Sequence, residues 1–181
     1  CETFALYYNK DMFDAVGLAY PPTTPDTAWS WDEFLNVCKT LTIDNNGVNA
    51  HDPNFDPNNI KQYAIQFDTW WAGYLWAVQS NGGDYANEEG TELVLNSPEA
   101  TEAIQLLADL MNVHHVAPSP IQRQALPSPT ISLQSQQIAM AITGQWVLLD
   151  LGVAAADGDL NFGVGILPKL KKSTTVVLGA P

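Results

Sequence analysis

The spacing of apolar residues along the chain predicts where it forms helices. The strongest signal lies at Ser30, whose hydroxyl can cap a helix, with Glu33 three residues later to complete a capping box. Apolar residues then recur at intervals of three or four as far as Leu41, which is the period of a helix with one buried face. The pattern therefore predicts a helix over residues 31–41.

Four other segments carry helical signals, because each combines an apolar run with a proline, a glycine or a capping serine near one end. They cover residues 10–16, 70–79, 97–112 and 146–151. In the third of these, Ile104, Leu107 and Met111 fall on one face, which predicts an amphipathic helix.

Short apolar or alternating runs between these helices predict strands. They cover residues 63–67, 138–142, 162–167 and 174–178. Residues 44–59 and 118–129 are rich in Asp, Asn and Pro and therefore predict loops. Strands that are separated by helices favour an α/β architecture, in which helices pack on a mixed sheet.

The composition fits one folded domain with an acidic surface. Of the 181 residues, 46% are hydrophobic, which is enough to bury a core. Seven lysine and arginine residues are outnumbered by 20 aspartate and glutamate residues, so the formal net charge is -13. Such a chain repels phosphate backbones and anionic lipid headgroups, and nucleic acid is therefore not an expected partner.

Two features of the sequence bear on its compartment. No apolar run reaches the roughly 18 residues of a membrane span, and no basic and apolar signal peptide opens the chain. Cys1 and Cys38 permit a single disulfide without requiring it. The small apolar residues of a lipobox do not precede Cys1, so lipidation of Cys1 is not favoured.

Six tryptophans in a small acidic domain suggest a ligand site. Residues 68–74 lie where a predicted strand gives way to a helix, which is the usual position of binding groups in α/β folds. There Asp68 offers a carboxylate, and Trp70 and Trp71 offer flat faces that stack on the C–H faces of a sugar ring. Trp146, which follows another predicted strand, could supply a second stacking face. From the residues alone, an ordinary aromatic core is an equally good interpretation.

Other candidate sites have ordinary structural explanations. The adjacent His114 and His115 point to different faces and are not favoured as a metal pair. The acidic loop that starts at Asp44 has Asn49 where the EF-hand spacing needs a glycine. No nucleophile elbow, phosphate-binding loop or dinucleotide fingerprint is present. The sequence thus predicts no catalytic residue, no metal site and no cofactor.

Five strings occur in a characteristic order and spacing. They are LYYNKDMF at 6–13, WDEF at 31–34, SNGG at 80–83, IAMAITGQW at 138–146 and FGVGILP at 162–168. From about Glu2 to Gly179, the chain resembles the carboxy-terminal lobe of extracellular sugar-binding proteins of the maltose-binding type, which serve ABC importers. Each string alone is a modest signal, and the combination is a strong one.

The resemblance implies a fold and a domain organisation. The expected fold is a periplasmic-binding-protein-like type II lobe of the α/β class, with a mixed β-sheet flanked by helices. Residues 1–181 would form this single lobe, whereas the amino-terminal lobe and the final helices of the family pattern would lie outside the chain. Ligand would be held in the cleft between two lobes that close about a hinge.

The resemblance also implies ligand-binding residues, each at a position where maltose-binding proteins carry a comparable group. They are Glu2, Asp68, Trp70, Trp71, Trp146 and Gly179. Glu2 corresponds to a carboxylate near the hinge, and Gly179 to a loop that reaches the cleft. Asp68 stands where the family has glutamate, and Gln145 where it has proline, so the sugar need not be maltose.

The leading hypothesis is a non-catalytic, substrate-binding component of an ABC importer. It would recognise a mono- or oligosaccharide by aromatic stacking and carboxylate hydrogen bonds and deliver it to membrane permease subunits. Its expected location is extracellular or periplasmic, with lipid anchoring to the outer face of the cell membrane left open.

Two alternatives belong to other classes of protein. A glycoside hydrolase would use Glu2 and Asp68 as paired carboxylates, separated by roughly 5 to 10 Å. An adhesion or scaffold domain would bury the tryptophans as core. If the binding hypothesis is right, Trp70, Trp71 and Trp146 should be partly exposed on one concave face, whereas burial of all three would contradict the site.

Overall fold

The protein is a mixed β-sheet with helices packed on both faces. Its computed structural model describes residues 2–178. Within that range the strands are β1 (Glu2–Asn9), β2 (Ile43–Asp44), β3 (Ile60–Phe67), β4 (Ile138–Gly144), β5 (Phe162–Gly165) and β6 (Val177–Leu178). The helices are α1 (Lys10–Asp14), α2 (Trp31–Leu41), α3 (Trp71–Ser80), α4 (Pro98–Asn112), α5 (Pro120–Arg123), α6 (Pro129–Gln134) and α7 (Leu148–Ala156). Short 3-10 turns cover Pro25–Thr27 and Gln145–Val147.

The strands lie in the order β2-β3-β4-β1-β5, and β6 pairs with β1. Only β3 and β4 run parallel among the described pairs, and the other pairs are antiparallel. The sheet is therefore mixed and flanked by helices, which confirms the predicted fold class.

The strand β1 is the main element that the sequence pattern does not predict. It pairs with β4, β5 and β6, so it has more partners than any other described strand. Leu6 and Tyr7 are both buried although they point to opposite faces. Because both faces of β1 are covered, its buried residues form a continuous apolar run. Such a run lacks the alternation of apolar and polar residues by which a strand is usually predicted.

The helix predicted over residues 31–41 has those bounds and begins with the predicted capping box. The hydroxyl of Ser30 accepts a hydrogen bond from the backbone N–H of Glu33 at 3.3 Å, and the Glu33 carboxylate accepts one from the backbone N–H of Ser30 at 2.8 Å. Two amide donors at the start of α2 are thereby satisfied, which explains why the local sequence fixes this end.

Several predicted bounds differ from the structure. The helix α7 continues to Ala156, because Val153 and Ala154 extend the apolar pattern past Gly152. The predicted loop 118–129 contains the short helix α5, which begins with a capping box at Ser119. The strands β5 and β6 are shorter than the apolar runs that predicted them.

Apolar side chains pack on both faces of the sheet. One cluster joins alternate residues of β1, including Leu6, to α2, α3 and α4, and it contains the fully buried Trp76. The other joins Tyr7 to α6 and α7, where Leu133 and Leu151 are buried. The sheet is thus packed on both faces, and the segments that follow its strands begin from fixed positions.

The acidic loop that follows α2 is organised by one carboxylate. The Oδ1 atom of Asp44 accepts hydrogen bonds from the backbone N–H groups of Asn46 and Val48, at 2.8 and 2.9 Å, and Oδ2 accepts one from Asp56 at 3.0 Å. Among residues 2–178, no group of three or more His, Cys, Asp or Glu side chains is placed to hold a metal ion. The hydrogen bonds that Asp44 accepts join residues 46, 48 and 56 of the loop.

The predictions about cysteines and membrane spans can be compared with the structure for residues 2–178. Cys38 is a free thiol on the buried face of α2, and burial raises its pKa. Cys1 lies outside the described residues, as does Gly179. Within residues 2–178, every helix is too short or too polar to cross a bilayer.

Candidate functional site

Three chain segments meet at one edge of the sheet. Because β3 and β4 are parallel, their carboxyl ends lie side by side, and the antiparallel β1 brings its amino end to the same place. The register pairs Phe4 with Gly144 and Phe67 with Ile142. The carboxyl ends of parallel strands are where α/β folds commonly hold ligands.

The aromatic patch at this edge consists of Phe4, Trp70, Trp71 and Trp146. Trp70 contacts Phe4 at a ring-centroid distance of 6.0 Å, Trp71 at 5.4 Å and Trp146 at 6.3 Å. Phe4 also meets Trp146 edge to face at 5.6 Å. The three tryptophans predicted from sequence are therefore brought together, with Trp70 in the centre.

The tryptophans of the patch are exposed, although they are large and apolar. Trp70, Trp71 and Trp146 retain 40%, 47% and 41% of their accessible surface, whereas Phe4 beneath them is buried. An ordinary core would bury such rings, so the scaffold interpretation does not explain this arrangement.

A glycine makes room for Trp146. A methyl group placed on Gly144 would lie 1.9 Å from the nearest carbon of the Trp146 ring, which is far inside van der Waals contact. The ring therefore lies directly over the backbone of β4, and only glycine at position 144 permits that position.

A second glycine packs the first turn of α3 against the end of β3. A methyl group on Gly73 would lie 1.9 Å from the carbonyl oxygen of Asp68. The backbone N–H of Gly73 donates to the carbonyl oxygen of Trp70 at 2.9 Å. These close contacts fix the turn that presents Trp70 and Trp71.

Asp68 is held in an ion pair that the sequence analysis did not foresee. Its Oδ1 atom lies 2.6 Å from Nη2 of Arg123, and its Oδ2 atom accepts a hydrogen bond from the hydroxyl of Thr143 at 3.1 Å. The Nη1 atom of Arg123 donates to the carbonyl oxygen of Phe67 at 3.0 Å. Both carboxylate oxygens of Asp68 thus have partners within the protein.

Arg123 is the more exposed member of this pair. Its side chain retains 29% of its accessible surface, compared with 13% for the side chain of Asp68. The presence of a single arginine is visible in the sequence. The pairing with a residue 55 positions away has no sequence signal, because it depends on where α5 lies in the fold.

Glu2 and Gly179 are the two remaining predicted site residues. Glu2 is exposed at the start of β1, and it shares a face of the strand with Phe4 because the two lie two residues apart. This places Glu2 on the side of β1 where the aromatic patch lies. Gly179 lies outside the described residues, so its role stays a prediction.

Apolar recesses lie beside α3, and one of them is lined in part by Trp71 of the aromatic patch. One of about 350 Å³ is lined by Trp71, Leu75 and Tyr85. Another of about 170 Å³ lies behind Asp68, where Ile104, Leu107 and Met111 of α4 contribute to its wall. The amphipathic face predicted for α4 is thus partly open, since Ile104 is 38% exposed while Leu107 is buried.

Comparison with known sequences gives a match over nearly the whole chain. Residues 1–180 match the family described as bacterial extracellular solute-binding protein. A binding protein of Brucella abortus (strain 2308) is 25% identical over 167 residues, which cover 91% of this chain and 35% of that protein. The chain spans about a third of the length of this relative.

Solved structures share the fold. An ABC substrate-binding protein of Listeria monocytogenes in complex with cycloalternan matches with a TM-score of 0.76 at 27% identity, over 96% of this chain and 39% of that chain. A solute-binding protein of Thermotoga lettingae bound with α-D-tagatose has a TM-score of 0.74 at 24% identity, over 97% and 41%. A maltose-bound protein of T. maritima has a TM-score of 0.69 at 21% identity, over 96% and 41%. The last two likenesses concern the fold alone.

Proposed function

The chain belongs to the bacterial extracellular solute-binding protein family, and on that basis we propose that it is the carboxy-terminal lobe of a sugar-binding protein of an ABC importer. The chain covers only 39% of the Listeria protein whose structure it matches. A second lobe and further carboxy-terminal elements are therefore part of the proposal. The sugar would lie between the lobes, against the aromatic patch of this one.

The observation that carries the proposal is the exposure of three adjacent tryptophans at one sheet edge. Their rings offer flat apolar faces to solvent, and a buried base holds them in place. Sugar rings have C–H groups on their faces and hydroxyls at their rims, so they complement a flat aromatic surface with polar groups beside it. The cycloalternan bound by the Listeria relative is consistent with a carbohydrate ligand.

The hydrolase alternative has less support. A retaining or inverting glycosidase needs one carboxylic acid that can give up a proton to the leaving group. Asp68 pairs with Arg123 through one oxygen and with Thr143 through the other, so both oxygens are already held by partners within the protein. The family is one of binding proteins rather than of enzymes.

The proposed partners and location follow from the same membership. A solute-binding lobe would pass its ligand to the permease subunits of the importer in the membrane. The family is extracellular, so the protein would work outside the cytoplasmic membrane, in the periplasm or at the cell surface. A lipid anchor at Cys1 is not required by this function.

A titration of the full-length protein with sugars tests the proposal. Tryptophan fluorescence would be followed against a panel of neutral mono- and oligosaccharides that includes maltose, tagatose and cycloalternan. We expect saturable quenching or a blue shift with at least one sugar, because ligand stacking removes water from the rings. A flat response across the panel, confirmed by calorimetry, would contradict the proposed function.

The glycine beneath Trp146 gives a sharper test of the patch. Gly144→Ala should displace the Trp146 ring from its contact with Phe4, since the added methyl group would occupy its place. We expect sugar affinity to fall by about tenfold or more, the equivalent of roughly 1.4 kcal/mol. Far-UV circular dichroism shows whether the variant is folded, and a titration with sugar measures its affinity.

Gly152→Ala is the matched control for this substitution. Gly152 lies in α7, and a methyl group there would meet no atom within 4 Å. Sugar affinity should stay unchanged in this variant, while α7 gains slightly in stability. If Gly144→Ala, Gly152→Ala and the unsubstituted protein all bind sugar with equal affinity, Trp146 is not part of the binding site.

A further inference from the structure

We propose that Arg123 is the charged group that contacts the sugar, and that Asp68 acts through it as a positioning residue. This inference rests on the proposed function and adds a specificity-determining residue to it. The ligand class would be an uncharged sugar unit with two adjacent hydroxyls, which the guanidinium group would bind with a pair of N–H donors.

Arg123 has more hydrogen-bonding capacity left than Asp68. Each oxygen of Asp68 already accepts one hydrogen bond, from Arg123 or from Thr143, which leaves about two of its four acceptor sites. A guanidinium group has five N–H donors. One of them reaches Asp68 and one reaches the carbonyl oxygen of Phe67, and the other three make no hydrogen bond to any residue in the range 2–178. Arg123 therefore has donors to offer a ligand.

Arg123 is both more exposed than Asp68 and held rigidly. The side chain of Arg123 is about twice as exposed as that of Asp68, at 29% against 13%. Its two hydrogen bonds, at 2.6 and 3.0 Å, fix the plane of the guanidinium group. A donor group that is held in place before binding loses little conformational entropy when the ligand arrives. The planar fork of arginine is suited to paired acceptors in a way that lysine is not.

Asp68 and Thr143 lie close to the aromatic patch along the chain. Asp68 comes two residues before Trp70, and Thr143 three residues before Trp146. Both lie at or near the carboxyl ends of β3 and β4, the sheet edge that carries the patch, and Arg123 contacts Asp68 there. A sugar that stacks on the patch presents the hydroxyls of its rim to groups at this edge.

The charges around Arg123 give an anionic ligand no advantage over an uncharged one. Arg123 is the chain's only arginine, and acidic side chains outnumber basic ones by 20 to 7. The contact with Asp68 neutralises the guanidinium charge locally. An anionic sugar would meet this neutral pair in a strongly acidic chain, so electrostatics gives it no advantage over an uncharged one.

The alternative role for Arg123 is purely structural, as a link between α5 and the sheet edge. The two roles differ in a measurable way. A structural link would affect stability and would weaken all sugars alike. A ligand contact sets the protein's preference among sugars that differ by a single hydroxyl, because a lost hydroxyl leaves the donor without its acceptor.

The test uses the full-length protein and the sugar of the panel that binds most tightly, together with analogues that each lack one hydroxyl. In the unsubstituted protein, we expect one or two adjacent deoxygenations to weaken binding by about tenfold or more. Arg123→Lys keeps the positive charge but loses the fork. It should weaken binding of the parent sugar by about 10- to 100-fold and bind those analogues and the parent sugar almost equally.

Asp68→Asn separates the two roles within the pair. This variant removes the charge that holds Arg123 but keeps the size of the side chain. We expect weaker binding of the parent sugar, by about tenfold, with the preference for the parent over the deoxygenated analogues retained. Far-UV circular dichroism and thermal unfolding of each variant show whether it remains folded.

The outcomes distinguish this inference from the function on which it rests. If the unsubstituted protein binds no sugar, the proposed function fails and the inference fails with it. If it binds sugar and folded Arg123→Lys shows the same preference among the analogues, the inference alone is wrong. The inference is equally wrong if no single deoxygenation weakens binding to the unsubstituted protein.

Discussion

Under the proposed function, Trp70→Ala should remove most of the affinity of the full-length protein for sugar. Trp70 is the central ring of the aromatic patch, in contact with Phe4, Trp71 and Trp146, and it still presents 40% of its surface to solvent. Truncation of a central tryptophan in a binding site commonly costs about 2–4 kcal/mol, or a roughly 30- to 1,000-fold higher Kd. Isothermal calorimetry measures this loss without depending on tryptophan fluorescence.

Tyr20→Ala is the matched control for that substitution. Tyr20 is exposed to a similar degree, 43%, and also contacts a ring of β1, but it packs on Tyr8 at the other end of the strand. Its removal should leave the Kd within about twofold, because it is a surface substitution away from the patch. A Kd for Trp70→Ala that equals the control value would contradict the placement of the ligand on the patch.

Trp76→Ala should produce the largest loss of stability. Trp76 is fully buried in the cluster that joins β1 to α2, α3 and α4, and its indole N–H donates to the carbonyl oxygen of Gly73 at 2.9 Å. Removal of a buried tryptophan leaves a cavity, and such substitutions cost about 3–5 kcal/mol in the free energy of unfolding. Urea unfolding, followed by far-UV circular dichroism, measures the effect.

Two further variants calibrate this prediction. Trp76→Phe keeps most of the packing and loses the hydrogen bond, so it should cost clearly less than alanine. Leu149→Ala removes a side chain that is 78% exposed on α7, and its effect should stay within about 0.5 kcal/mol. A loss below about 1 kcal/mol for Trp76→Ala would contradict the importance of this ring to the core.

Local sequence chemistry determined the elements that were predicted well. The start of α2 depends on Ser30 and Glu33, which lie one helical turn apart and satisfy each other's backbone. The start of α4 depends in the same way on Ser97, whose hydroxyl accepts from the backbone N–H of Ala100 at 3.2 Å. Interactions of this kind need no knowledge of the rest of the fold, and the sequence therefore predicts them.

Features that depend on distant contacts escaped prediction. The strand β1 has no alternation because neighbours bury both of its faces, and its pairing with β4 joins residues more than 130 positions apart. Arg123 meets Asp68 only because α5 is placed beside the end of β3. Such contacts follow from the tertiary arrangement, which neither periodicity nor local propensity encodes.

The candidate site falls between these two cases. The clustering of Trp70 and Trp71 is visible in the sequence. The position of Trp146 after a predicted strand suggests it as well, and the resemblance to maltose-binding proteins agrees. Their exposure is a property of the fold, because the same residues could have formed a core. Asp68 was predicted as a ligand contact, and that role remains a prediction. The structure adds that its two oxygens already have partners.

The loop held by Asp44 should tolerate acid well. Burial raises the pKa of this carboxyl, but hydrogen bonds from the N–H groups of Val48, Asp56 and Asn46 outweigh it, so the net pKa lies below the usual value. The unfolded chain binds its proton near the ordinary aspartate pKa of about 3.9. Asp44 therefore stabilises the folded form fully above that pH and loses this effect only as the pH falls through its lower folded pKa. An extracellular protein whose surroundings turn mildly acidic would keep this loop intact.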